Sequence, residues 1–71
     1  MEVLVFKTNL ESFKQSRKLY PLLKAIKGIL KWNVDFEDAD KILRLETANI
    51  SPRLVESTLQ NAGFYCSELE G

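Results

Sequence analysis

Leu30, Trp32, Val34 and Phe36 alternate with Lys31, Asn33 and Asp35. Strict alternation puts the apolar side chains on one face of a strand and the polar ones on the other. Such a strand needs a partner beside it and a second layer over its apolar face. The polar tract Glu37-Asp38-Ala39-Asp40-Lys41 supplies a turn. Ile42 to Thr47 then returns as the partner strand, with Leu43 and Leu45 on one face. The middle of the chain therefore predicts a hairpin with one face in a core.

The flanking segments predict the rest. Val3 to Lys7 is short and β-prone; Leu4 and Phe6 point one way, Val3 and Val5 the other. Thr8-Asn9-Leu10-Glu11 and Ser12-Phe13-Lys14-Gln15 each fit a capping box, and either can open a first helix. Leu19, Leu22, Leu23 and Ile26 form its apolar stripe, and Gly28 ends it. Pro21 predicts a kink or break at Tyr20, because it lacks an N–H and disfavours helical geometry in the residue before it. Ser51 as N-cap and Pro52 at the first helical position open a second helix. Leu54, Val55, Thr58, Leu59 and Ala62 would line its inner face, with Gly63 just past its end. Phe64 to Leu69 is the last expected strand. The order is βαββαβ. The expected fold is α+β and ferredoxin-like: a four-stranded antiparallel sheet, order 4-1-3-2, with two helices on one face. Residues 1–71 form a single domain on this reading, its core taking Leu4, Phe6, Leu30, Trp32, Val34, Phe36, Leu43, Leu45 and Cys66.

Composition narrows the function classes. Ten basic and ten acidic residues balance, unlike the excess of cations in a generic nucleic-acid binder. Two strands of a related fold stack bases on aromatic residues, but Ile42-Leu43-Arg44-Leu45-Glu46 has none. The charge is divided along the chain: residues 12–31 hold six basic side chains and no acidic one, and residues 32–71 hold eight acidic and three basic. No apolar run is long enough for a membrane span, and residues 1–6 do not resemble a signal peptide. One cysteine excludes an internal disulfide, so the cytoplasm is the expected compartment.

Candidate sites reduce to ordinary structure. Cys66, alternating with Phe64 and far in sequence from any cation, is expected to be a buried structural thiol. Asp35, Glu37, Asp38 and Asp40 cluster without the glycine and spaced ligands of a calcium loop, which points to a solvated hairpin tip. There is no histidine to serve a nucleophile. The glycines, at 28, 63 and 71, make no phosphate loop. Trp32 is expected to pack in the core. The chain is therefore expected to be no enzyme and to hold no cofactor.

Gly28-Ile29, then Trp32-Asn33-Val34-Asp35-Phe36-Glu37, then Ala62-Gly63-Phe64 resemble heavy-metal-associated domains, the fold of small copper chaperones. The resemblance covers most of the chain. It implies a metal site, a Cys-x-x-Cys in the loop leading into the first helix. Counted back from Gly28, those cysteines would fall at Glu11 and Lys14, or at Ser12 and Gln15. None of the four is a soft ligand, as Cu(I) requires. Zn(II) needs about four donors from Cys, His and carboxylate. The expectation is an interaction or regulatory module that resembles a metallochaperone but lacks its metal site. The alternative is a metal-binding or transfer protein with an atypical site; a third is a regulatory domain that binds a ligand between subunits. The candidate interface is the uncovered sheet face, with Val3, Val5, Ile42, Tyr65 and Leu69, used by a homodimer or another protein.

Overall fold

The computed structural model describes residues 2–69. Its elements run β1 (Glu2–Thr8), α1 (Phe13–Ser16), α2 (Leu19–Lys24), β2 (Ile29–Asp35), β3 (Ile42–Thr47), α3 (Pro52–Asn61) and β4 (Cys66–Glu68). The strands form one sheet in the order β2-β3-β1-β4, with every pairing antiparallel. Read from the other edge this is 4-1-3-2, the ferredoxin-like arrangement expected. The short helices α1 and α2 together occupy the first crossover and α3 the second.

The core lies between the sheet and the helices. Leu4, Phe6, Leu43, Leu45 and Cys66 come from the strands, Leu19 and Leu23 from α2, and Val55 and Leu59 from α3. Leu10, from the loop after β1, is fully buried among them and had no place in the expected core. Burying such side chains supplies most of the stabilisation available to a domain this small, at about 25 cal/mol per Å² of apolar surface.

Several expectations need correction. Leu30 does not enter the core; it is 60% exposed. Ile29 pairs with Thr47 and Lys31 with Glu46, so Leu30 is an extra residue in a β-bulge. The bulge resets the alternation: Ile29 packs against the core before it, and Trp32 and Val34 after it, opposite Leu45 and Leu43. Trp32, Val34 and Phe36 are only partly buried, because β2 is an edge strand. Leu54 is exposed as well, and Ala62 is the exposed C-cap of α3; the inward face of that helix is Val55, Glu56 and Leu59. The last strand begins at Cys66 rather than Phe64. Phe64 instead closes the end of α3: its N–H bonds the Leu59 carbonyl at 2.9 Å while Gly63 N–H bonds that of Gln60 at 3.0 Å.

The break in the first crossover falls at Arg17–Lys18, upstream of Pro21. Lys18 N–H bonds the Gln15 carbonyl in a tight turn, and Leu19 opens a new helix. Pro21 is then the third residue of α2, where a backbone N–H has no intrahelical acceptor to reach.

Candidate functional site

Ser12 opens α1: its Oγ accepts from Gln15 N–H at 3.3 Å. Gln15 Oε1 accepts in turn from Glu11 N–H at 2.7 Å. The second capping box is thus realised in a form shifted by one residue. Thr8 Oγ1 accepts from Leu10 N–H and donates to the Lys41 carbonyl at 2.6 Å, and Asn9 Oδ1 accepts from Tyr65 N–H at 3.0 Å. The polar side chains of this loop hold its own shape and tie it to the β2–β3 turn and to the start of β4. Leu10 plugs it into the core from below.

Cys66 lies beside this loop, paired with Thr8, but its thiol is fully buried on the core side. Burial, with a smaller push from the Glu56 carboxylate, raises its pKa to about 12. A thiol so placed stays protonated at neutral pH and is a poor nucleophile and metal ligand. Glu56, on the inner face of α3, accepts from Glu68 N–H at 2.8 Å through Oε2 and from Arg53 Nη1 at 3.0 Å through Oε1. The backbone hydrogen bond, and secondarily Arg53, hold its pKa below the usual value against the opposing effect of burial. Its role is to fasten β4 to α3. Among the described residues no group of three or more His, Cys, Asp or Glu side chains converges as a metal site would require.

A pronounced concavity lies elsewhere. A groove of about 600 Å³ runs between β2 and the α1–α2 segment. Trp32, Val34 and Phe36 form one wall; Phe13, Tyr20 and Pro21 form the other, with Arg17 among them. Phe13 is 72% and Tyr20 54% exposed. The Lys24 ammonium sits 5.4 Å from the centre of the Tyr20 ring, within cation–π range. Sequence reasoning passed over this surface. A signal for it exists: Phe13, Arg17 and Tyr20 recur at four and three residues. They form a second stripe beside Leu19, Leu22, Leu23 and Ile26.

The uncovered sheet face holds most of the residues expected at an interface. Val3 lies opposite Glu46 and Val5 opposite Arg44, while Ile42 lies opposite Asp35. Leu69 N–H bonds the Val5 carbonyl at 2.8 Å, which brings it alongside Val5. Lys31, opposite Glu46, Asn33, opposite Arg44, and Lys7, opposite Ser67, add polar groups to this face. Val3, Val5 and Leu69 thus form a small apolar cluster at one end of a charged checkerboard. Tyr65 precedes β4 and stands outside the sheet, half exposed.

A 2-3-1-4 antiparallel sheet with its crossovers on one face, and a loop from the first strand into the first helix, is the architecture of heavy-metal-associated domains. The chain has that fold. It superposes on the N-terminal domain of ZntA in its Zn(II) form with a TM-score of 0.81 at 23% identity, over 97% of this chain and 93% of that one. The yeast copper transporter domain Ccc2a, solved in apo and Cu(I)-loaded states, gives 0.84 at 14% identity, over 99% and 97%. The N-terminal domain of PacS from Synechocystis gives 0.79 at 11% identity, over 99% and 100%. No protein-family model matches the sequence, and no curated protein matches it significantly.

Proposed function

We propose that this chain is a non-catalytic protein-interaction module on the heavy-metal-associated scaffold, and that its β1–α1 loop does not carry Cu(I) or Zn(II). The observation behind this reading is the donor set of that loop. Glu11, Ser12, Lys14 and Gln15 offer no sulfur or imidazole, and the side chains of Ser12 and Gln15 are already engaged in capping α1. The one thiol of the chain, Cys66, faces the core with a raised pKa. These residues do not fit Cu(I), which takes soft thiolates, nor Zn(II), which takes four convergent donors. The similar domains of ZntA and Ccc2a were solved in Zn(II) and Cu(I) forms respectively, and on this reading the chain keeps their scaffold without that cargo. Catalysis is not supported either: the groove beside β2 is lined by apolar side chains, Ser16, Arg17 and Asn33, with no base positioned against a nucleophile.

The test is competition of the purified protein against chromophoric Cu(I) and Zn(II) chelators. The expected result is no stoichiometric uptake of either metal. Stoichiometric binding at micromolar affinity or tighter overturns the reading and establishes an atypical metal site.

A further inference from the structure

We propose that the free edge of β2, with the groove beside it, binds an extended acidic segment of a partner protein as a fifth strand of the sheet. This rests on the reading of the chain as an interaction module and names the kind of partner. Three observations converge on it.

The first is the edge. Among the described residues β2 ends the sheet and pairs only with β3. An edge strand carries a row of backbone N–H and C=O groups open to another chain. The bulge at Leu30 disturbs the start of β2, but from Lys31 to Asp35 the pairing with β3 is regular. That regular stretch offers a template for a short added strand.

The second is the groove. A strand added to β2 alternates its side chains between the two faces of the sheet. Every second one would point to the helix side. There the groove between Trp32, Val34 and Phe36 and the Phe13–Tyr20 wall lies open. Backbone hydrogen bonds along an edge, with apolar pockets for alternate side chains, are the elements of peptide recognition by strand addition.

The third is charge. Among the described residues the ion pairs are Lys7–Asp40 and Arg53–Glu56. Lys14, Arg17, Lys18, Lys24 and Lys27 therefore form no ion pair there, and Lys31 stands opposite Glu46 without a close one. Arg17 lines the groove, and Lys31 stands on the open face of the edge strand itself. An occupant with carboxylates around its apolar residues complements the net positive charge of the α1–α2 wall. A second copy of this chain fits less well. Antiparallel pairing of β2 with its own copy could set Lys31 against Asp35, but it would also bring two cationic α1–α2 segments together.

The experiment uses the full chain and three synthetic peptides of about ten residues. One alternates Val, Leu and Phe with Glu; the second has Lys for every Glu; the third is the acidic peptide with a central proline. Fluorescence anisotropy reads affinity, and amide hydrogen exchange reads the binding mode. The acidic peptide is expected to bind and to protect amides within Trp32–Asp35. The lysine and proline peptides are expected to bind about tenfold more weakly or worse. Arg17→Glu and Phe13→Ala, both at exposed positions, should weaken the acidic peptide about tenfold while leaving the thermal midpoint near that of the unchanged protein. Equal binding of the acidic and lysine peptides, indifference to proline, or no binding of any peptide overturns the proposal. So does a dimer built on β2 that excludes the peptide. Metal uptake is scored separately in the chelator competition. Metal binding with intact peptide binding sinks only the metal-free reading, and failure of the peptides without metal uptake sinks only this one.

Discussion

At the scale of single residues, a few side chains and one glycine carry more than their burial suggests. Gly28 has φ +104°, and a Cβ placed on it would lie 2.7 Å from the Ala48 carbonyl oxygen and 2.8 Å from Ile50 Cδ1. The same junction holds the hydrogen bond from Ala48 N–H to the Gly28 carbonyl at 2.7 Å, which closes the end of the β2–β3 ladder. Gly28→Ala combines backbone strain with a backbone clash. It is expected to cost about 1–3 kcal/mol, read as a lowered urea midpoint with an unchanged m-value. Glu56 acts through charge. Its folded pKa is depressed, so its contribution is present above the unfolded value of 4.5 and is lost as pH falls through the lower folded value. Glu56→Gln should therefore lower stability at neutral pH and flatten the acid limb of the stability profile below pH 4.5. Urea titrations across that range check it, and an acid limb as steep as that of the unchanged protein would refute it.

At the scale of elements, the break in the first crossover and the bulge in β2 share a cause: a local irregularity that lets a strong global preference survive. The break at Arg17–Lys18 restarts the helix so that Pro21 falls in a first turn, while Leu19 and Leu23 still reach the core. The bulge at Leu30 lets Ile29 and Trp32 both face inward although they are three residues apart. Without it, strict alternation would turn Ile29 to the open face. Leu30→Lys should accordingly be nearly neutral, within about 0.5 kcal/mol in thermal or urea unfolding, whereas a core leucine such as Leu45→Ala should cost about 2–5 kcal/mol. A large loss at Leu30 would place it in the core after all.

For the molecule as a whole, the question is which surface is free to meet a partner. The open sheet face sets Val3, Val5 and Leu69 against Glu46, Arg44 and Lys31. Association must offset several kcal/mol of lost freedom, and an apolar cluster of this size within a charged checkerboard covers little of that. The chain alone is expected to sediment as a monomer at tens of micromolar. A dimer at that concentration, converted to a folded monomer by Val5→Lys with Ile42→Lys, would establish the open face as a self-association surface. Among the described residues no helix is long and apolar enough to cross a membrane.

Much of this was legible in the sequence, because it depends on local rules. Alternation in β1 and β3 assigned Leu4, Phe6, Leu43 and Leu45 to the core, and capping chemistry placed the start of α3 at Ser51-Pro52 and its end at Gly63. The order of these elements implied the sheet, and residue chemistry alone emptied the β1–α1 loop of soft ligands. Tertiary structure decided what depends on neighbours distant in the chain. Leu30 reads as a core residue until the register against β3 makes it the extra residue of a bulge. Leu10 reads as part of a turn until the sheet and helices close over it. Trp32, Val34 and Phe36 alternate as faithfully as any buried strand, yet stay half covered because β2 lies at the edge of the sheet. Periodicity tells which side of a strand is apolar; only the assembled layers determine how much of that side is left uncovered.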